Sequence, residues 1–174
     1  QYAKMVSKEE CREKYGALLA EIMEYLRFEN HPNLFLHGNG LLYTNGHDRA
    51  VTWMNSTANG RPVTPRTGYV VEINALWYNA LCFVADILGE CELTVALKDI
   101  ADKAGVSFID TFLNEHGYLL DYVDGHMMDW SVRPNMIFAA AFDYSPLNTR
   151  QKKGIVDICS KELLTPKGLR SLSP

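Results

Sequence analysis

TPRTGYVVEINALWYNALCFVADIL, residues 64–88, is the stretch that decides the fold. A loop punctuated by proline and glycine leads into a predicted helix at about 69–88, which is apolar on nearly every side and therefore typical of a protein interior. The helix also carries Glu72, Asn74 and Asn79. Burying such groups without hydrogen-bonding partners costs several kcal/mol, so they must either find partners or line a cavity. We interpret these three side chains as lining a cavity.

Aromatic side chains lie on this helix and just before it. Trp77 and Tyr78 belong to the helix, and Trp53 precedes it together with Asn55. Flat rings interleaved with hydrogen-bonding groups are what a sugar-binding site requires. An aromatic residue on an apolar helix is more often part of the core, and this alternative stays open for Trp77 and Tyr78. Trp53 and the more distant Trp130 lie in predicted loops or strand ends, which favours a role in binding.

The composition is that of a globular protein. With 174 residues, 47% of them apolar and 11% aromatic, the chain can bury a sizeable core as one domain. Its net charge is −4, its pI is about 5.7, and it has no basic run beyond Lys152-Lys153. We therefore expect no nucleic-acid partner and no membrane partner. No apolar run reaches the length of a membrane span.

Cysteine and histidine spacing gives two further expectations. The four cysteines are scattered without CxxC spacing, which favours reduced thiols and a cytoplasmic location. The five histidines show neither HxxxH nor HExxH spacing, so no metal site is expected. No GxSxG motif is present either.

The rest of the chain reads as helices with one or two small hairpins, the second being a short extended or hairpin piece at 117–125. Asn45-Gly46 is the predicted turn between residues 41–44 and 49–53, and Gly105 is predicted to end a helix. Beside the helix at 69–88, helices are predicted at 7–28, 92–104, 107–116, 135–142 and 149–163. Nearly all-apolar helices alternate with amphipathic ones, as the inner and outer helices of a toroid do.

Three motifs carry a resemblance to a known family. TWMNSTANGRPVTPRTGYVVEINALWYNAL, with VRPNMIFAAAFDYSP and LLTPKGLRSLSP downstream, closely resembles the glucosidase domain of glycogen debranching enzymes, the amylo-α-1,6-glucosidase family. The resemblance covers the chain from about Leu41 to its C-terminus. It implies a mainly α fold, an (α/α)6 toroid of glucoamylase-like type, present here as an incomplete barrel with small β-hairpin insertions.

The same resemblance implies a function. Residues 1–174 would be a partial glucosidase domain, truncated at both ends, of an enzyme that removes α-1,6-linked glucose from glycogen or branched α-glucan by inverting hydrolysis. No metal or organic cofactor is implied. The general base is expected beyond residue 174, so the isolated chain is expected to be inactive and, with inner-helix surface uncovered, to self-associate.

The candidate catalytic residues are Asn55, Glu72 and Asp129. Family members expected to be active read WMD where this chain reads WMN, so Asn55 occupies the position of the general acid, and an amide cannot donate that proton. Glu72 is the best carboxylate, with a structural ion pair to Arg66 or Arg133 as an equal alternative. The candidate substrate-binding residues are Trp53, Arg66, Trp77, Tyr78, Trp130, Arg133 and Asn135.

Loops 51–68 and 124–135 are expected to form one cleft with Glu72 at its floor. Two alternatives to the hydrolase stay open. A non-catalytic or weakly active α-glucan-binding homologue is favoured by Asn55. A different helical toroid, such as a terpenoid or prenyl enzyme, is disfavoured because the chain lacks Asp-rich metal-binding motifs.

Overall fold

The structure is a computed structural model that describes residues 2–28 and 31–174. About half of the chain is helical, which confirms the predicted mainly α class. The helices are α1 (Tyr2–Met5), α2 (Lys8–Arg27), α3 (Val71–Leu88), α4 (Glu92–Phe112), α5 (Ile137–Ala141, preceded by a 3-10 turn at Pro134–Met136) and α6 (Thr149–Glu162). The strands are β1 (Leu34–Leu36), β2 (Leu42–Thr44), β3 (Thr57–Ala58), β4 (Arg61–Pro62), β5 (Gly68–Val70), β6 (Tyr122–Asp124), β7 (Met127–Met128), β8 (Leu164–Thr165) and β9 (Gly168–Leu169).

Helix α3 lies at the centre of the packing, against α2, α4 and α5. Nine of its 18 residues are buried, against six of 21 in α4, so the prediction that this helix is the most buried is confirmed. By length and composition α3 would suffice to cross a membrane, contrary to the prediction that no apolar run is that long. Half of it is buried inside the protein, as is usual for a core helix.

Glu72 and Asn74 of α3 are buried with hydrogen-bonding partners, so the cavity interpretation is wrong for these two, whereas Asn79 lines a cavity together with Asp86 and Tyr144. Asn74 accepts a hydrogen bond from Leu42 N at 2.8 Å and donates to Leu42 O at 3.0 Å and Val70 O at 3.1 Å. Its amide thereby extends the sheet hydrogen bonding at the point where β5 turns into α3. Asn79 accepts from Tyr144 N at 3.3 Å.

An antiparallel sheet of five strands, in the order β1-β2-β5-β6-β7, packs beside α3. The predicted hairpin at Asn45-Gly46 is wrong, because residues 49–53 form no strand and β2 pairs instead with β1. Gly46 allows two backbone segments to pass close to each other, since a Cβ atom there would collide with the carbonyl oxygen of Arg66. A two-residue turn occurs instead at another Asn-Gly pair, Asn59-Gly60, where φ is 51° and 76° and strands β3 and β4 meet.

The helix boundaries follow the predictions except in α4. Ser7 caps α2 by accepting from Glu10 N at 3.1 Å, and Asn148 and Gln151 form a reciprocal capping box at the start of α6. Gly105 does not end α4, which continues to Phe112 in place of the predicted second helix at 107–116. A Cβ atom at Gly105 would lie 3.2 Å from the Tyr78 ring, so this glycine allows α4 to pack closely on α3.

Candidate functional site

A buried set of charged side chains lies at the N-terminus of α3. Both terminal nitrogens of Arg66 donate to the two carboxylate oxygens of Glu72, one of them over 2.7 Å. Arg66 Nη2 also donates to Asp121 Oδ1 at 3.0 Å, and its Nε lies 2.9 Å from Asp121 Oδ2. Glu72 is the second residue of α3, where the partial positive charge of a helix N-terminus favours a carboxylate.

Asp121 links this pair to a second arginine and an amide. Asn135 Nδ2 donates to Asp121 Oδ1 at 2.6 Å, and Arg133 Nε lies 3.5 Å from Asp121 Oδ2. We call Arg66, Glu72, Asp121, Arg133 and Asn135 the Arg66 cluster. Its two arginines and two carboxylates balance in charge, which allows the group to be buried.

Burial and ion pairing act in opposite directions on these groups. Burial raises the pKa of Asp121 to about 6, although the charge of Arg66 and the hydrogen bond from Asn135 oppose that change. For Arg66, burial alone would lower the pKa. The hydrogen bond to Glu72 and the charge of Asp121 outweigh burial, so the pKa of Arg66 is raised and the guanidinium stays charged.

Three consecutive loop residues are bound to the Arg66 cluster. Trp53 Nε1 donates to Asn135 Oδ1 at 2.9 Å, Thr52 Oγ1 accepts from Arg66 Nη1 at 3.4 Å, and the Met54 sulfur lies 3.5 Å from Asn135 Nδ2. The Trp53 side chain is nevertheless 55% exposed. The cluster thus holds one edge of the indole and leaves the ring open to solvent, beside an exposed Asn55.

The structure brings together five of the predicted site residues: Trp53, Arg66, Glu72, Arg133 and Asn135. Arg66 and Glu72 are each 2% exposed and Asn135 is 1% exposed, so they lie beneath the surface and cannot contact a substrate as placed. For Glu72 this favours the alternative of an ion pair with Arg66, and the catalytic role stays a prediction. Arg133 is only partly buried and reaches the edge of the cluster.

The two aromatic residues predicted on the helix lie elsewhere. Trp77 is 2% exposed, and its Nε1 donates to Gly40 O at 3.0 Å, so it is a core residue with no face for a sugar. Tyr78 is half-buried on the side of α3 that faces α4, where burial raises its pKa to about 12. The burial of Trp77 favours the core alternative for it, and the substrate-binding role of both residues stays a prediction.

Asp129 and Trp130 follow strand β7 and have their own contacts. Asp129 Oδ1 accepts from Ser131 N at 2.8 Å. Trp130 is 44% exposed and packs edge-on against the His116 ring at 6.0 Å, while its carbonyl accepts from Tyr118. Within residues 2–28 and 31–174, no hydrogen bond or ring contact joins Trp130 to the Arg66 cluster.

Sequence reasoning missed Asp121, the residue that connects the cluster. It interrupts the apolar run YLLDYV at 118–123, just as Glu72 interrupts the apolar helix. The rule that a buried charge requires a partner would have singled it out. In the part of the chain that the structure describes, no group of three or more His, Cys, Asp or Glu side chains is placed to hold a metal ion.

An exposed indole held at one edge above buried charge pairs is suited to binding a polar ring such as a sugar. The sequence model of the Amylo-alpha-1,6-glucosidase family matches residues 1–174, so the chain belongs to this family and has a glycoside-hydrolase-related function. The match includes the residues before Leu41, which the motif resemblance did not reach. A search of curated proteins found no match to the chain.

Proposed function

We propose that this chain is part of a glycoside hydrolase that removes α-1,6-linked glucose at branch points of glycogen or a related α-glucan, by an inverting acid–base mechanism without metal or cofactor. The observation that carries the proposal is the family match over residues 1–174. An (α/α)6 toroid belongs to the same proposal. It is supported by the contrast between the largely buried α3 and the more exposed α4 and α6.

In this proposal the substrate lies on the surface above the Arg66 cluster. Trp53 supplies an exposed ring against which a glucose unit can stack, and Arg133 supplies a guanidinium at the edge of the cluster. Asn55 follows directly on the exposed side of the same loop. The buried members of the cluster act by holding these three residues in place.

A second candidate is an α-glucan-binding homologue with little or no hydrolytic activity. Inverting hydrolysis needs a carboxylic acid and a carboxylate base about 6.5–9.5 Å apart. The observation that favours this candidate is that Asn55 is an amide, while the carboxylates of the cluster, Glu72 and Asp121, are buried and paired with arginines. Neither carboxylate can take over proton donation in this arrangement.

Glucose release from a branched α-glucan by the full-length protein at mildly acidic pH tests the proposal. We expect Asn55→Asp to raise the hydrolysis rate, because general acid catalysis is worth about 10²–10⁴-fold, and to leave binding almost unchanged. Asn45→Asp is the matched control, since Asn45 is exposed and lies outside the loop. A wild type as fast as Asp-bearing homologues, and slowed by Asn55→Asp, would contradict the assignment of Asn55 to the acid position.

The same samples distinguish the two candidates. Binding of the glucan without glucose release by the wild type or by Asn55→Asp would favour the binding homologue. Absence of both binding and release would remove both candidates.

Two expectations accompany the proposal. A cytoplasmic location is supported by the four cysteines, none of which is paired. Self-association of the isolated chain is supported by Leu76 on α3 and Phe138 on α5, which are 44% and 41% exposed. Light scattering tests the second expectation, and a clean monomer without exposed apolar surface would contradict it.

A further inference from the structure

Asp121 is the most connected residue of the Arg66 cluster, yet it does not reach the surface. It is 1% exposed, and its side chain contacts Arg66, Arg133 and Asn135. These partners come from two separate parts of the chain: Arg66 from the loop before β5, and Arg133 and Asn135 from the start of the 3-10 turn. A side chain so enclosed cannot touch a substrate, so any effect it has on binding must act through its partners.

The hydrogen-bonding types of these groups fix the direction of that effect. An indole N–H can only donate and a carboxylate can only accept. The Asn135 amide between them is therefore oriented by both partners, with Oδ1 toward Trp53 and Nδ2 toward Asp121. Without the acceptor at Asp121, the amide is free to rotate and Trp53 loses its fixed partner.

We propose that Asp121 is a positioning residue, which holds the Trp53 ring through Asn135 and the Thr52 hydroxyl through Arg66, and so fixes the loop that carries Asn55. The consequence for substrate rests on the proposed function. The effect on the indole does not, because it follows from the hydrogen bonds alone.

The charge state of Asp121 provides a second way to observe the connection. The charged and titratable groups around it are Arg66 before β5, Glu72 on α3, Arg133 before the 3-10 turn, Tyr122 beside it on β6 and Asp129, whose backbone pairs with its own. Burial raises the pKa of the Asp121 carboxyl to about 6. Protonation on acidification should therefore change the environment of the Trp53 indole.

Exchange and titration of the indole N–H groups, followed by NMR in ¹⁵N-labelled protein, test the proposal. The chain has three tryptophans, and Trp77 on α3 is the internal reference because its N–H donates to the carbonyl of Gly40, in the loop between β1 and β2. In Asp121→Ala we expect the Trp53 indole N–H to exchange about tenfold faster relative to Trp77, the factor for loss of one net hydrogen bond, since any change at the core Trp77 N–H reports overall stability. Asp124→Ala, at the end of β6 and three residues after Asp121, is the matched control and should change neither signal.

Two results would overturn the proposal: a Trp53 exchange rate unchanged in Asp121→Ala, or equal acceleration at Trp53 and Trp77, which reports general loosening. If Asp121→Ala does not fold, Asn135→Ser cuts the same connection, and an unaffected Trp53 signal there is equally decisive against it. Glucan binding is measured separately. A wild type that binds no glucan would remove the proposed function, whereas the indole result would still decide the role of Asp121.

Discussion

Replacing Arg66 by methionine removes the central cation of an almost completely buried group of charges. The side chains of Arg66, Glu72 and Asp121 are only 1–3% exposed, so solvent screening hardly weakens their interaction. In Arg66→Met, Arg133 alone faces two carboxylates, and one buried negative charge is left without a partner. Losing one member of a buried ion pair costs about 3–5 kcal/mol. The partial positive charge at the N-terminus of α3 still stabilises the Glu72 carboxylate by about 0.3–1 kcal/mol. We therefore expect the free energy of unfolding to fall by about 3 kcal/mol.

Urea unfolding followed by circular dichroism measures this loss. With a slope of about 2 kcal/mol/M, the midpoint should fall by about 1.5 M. The double variant Arg66→Met with Glu72→Met restores the charge balance between Asp121 and Arg133, and should recover about 1–2 kcal/mol. Arg61→Met, at an exposed arginine of the same loop, is the control. The reasoning is refuted if Arg66→Met lies within about 1 kcal/mol of the wild type, or if the double variant is no more stable than the single one.

Three further outcomes are expected. Trp53→Ala should weaken calorimetrically measured glucan binding about tenfold while changing unfolding stability by about 1 kcal/mol, because the ring is half exposed; equal affinity would exclude stacking at Trp53. Asn74→Ala should lower the free energy of unfolding in urea by about 3 kcal/mol, because Asn74 bonds three backbone groups. Asn79→Ala should lower it by only about 1 kcal/mol, because Asn79 bonds one. Equal losses in the two variants would contradict this account. The pKa of Asp121 is raised to about 6, so its contribution to the free energy of unfolding is fully present below about pH 4 and is lost as pH rises through 6, by at most about 3 kcal/mol. Asp121→Asn should flatten this part of the plot of stability against pH, measured by urea unfolding. An unchanged slope in the variant would contradict the raised pKa.

Elements defined by local signals were predictable from the sequence. Ser7 and Asn148 fix the starts of α2 and α6 through contacts within four residues, and the predicted helix starts at about residues 7 and 149 are confirmed. Two predictions based on glycine, the helix end at Gly105 and the turn at Gly46, were wrong because the role of each glycine depends on packing against residues far away in the sequence. Gly105 sits inside α4 where Tyr78 presses against it, and Gly46 accommodates the backbone of Arg66 rather than a hairpin turn.

In the candidate site too, contacts between residues close in sequence could be predicted, whereas contacts between distant residues could not. Arg66 and Glu72 are six residues apart, so their ion pair could be anticipated as an alternative. Asp121 lies 55 residues from Arg66, and only the sheet pairing of β5 with β6 brings the two together. Trp77 and Tyr78 were ambiguous because an apolar helix does not reveal which of its sides faces the core.

The loop before β5 joins two parts with different constraints. Thr52, Trp53 and Met54 are tied to buried groups, whereas residues 55–61 are exposed and end in a two-residue turn. A substitution in the first part disturbs the core, while insertions and exchanges in the second leave it intact. Under the proposed function, the hairpin is therefore the place where substitutions can alter which glucans bind without disturbing the fold.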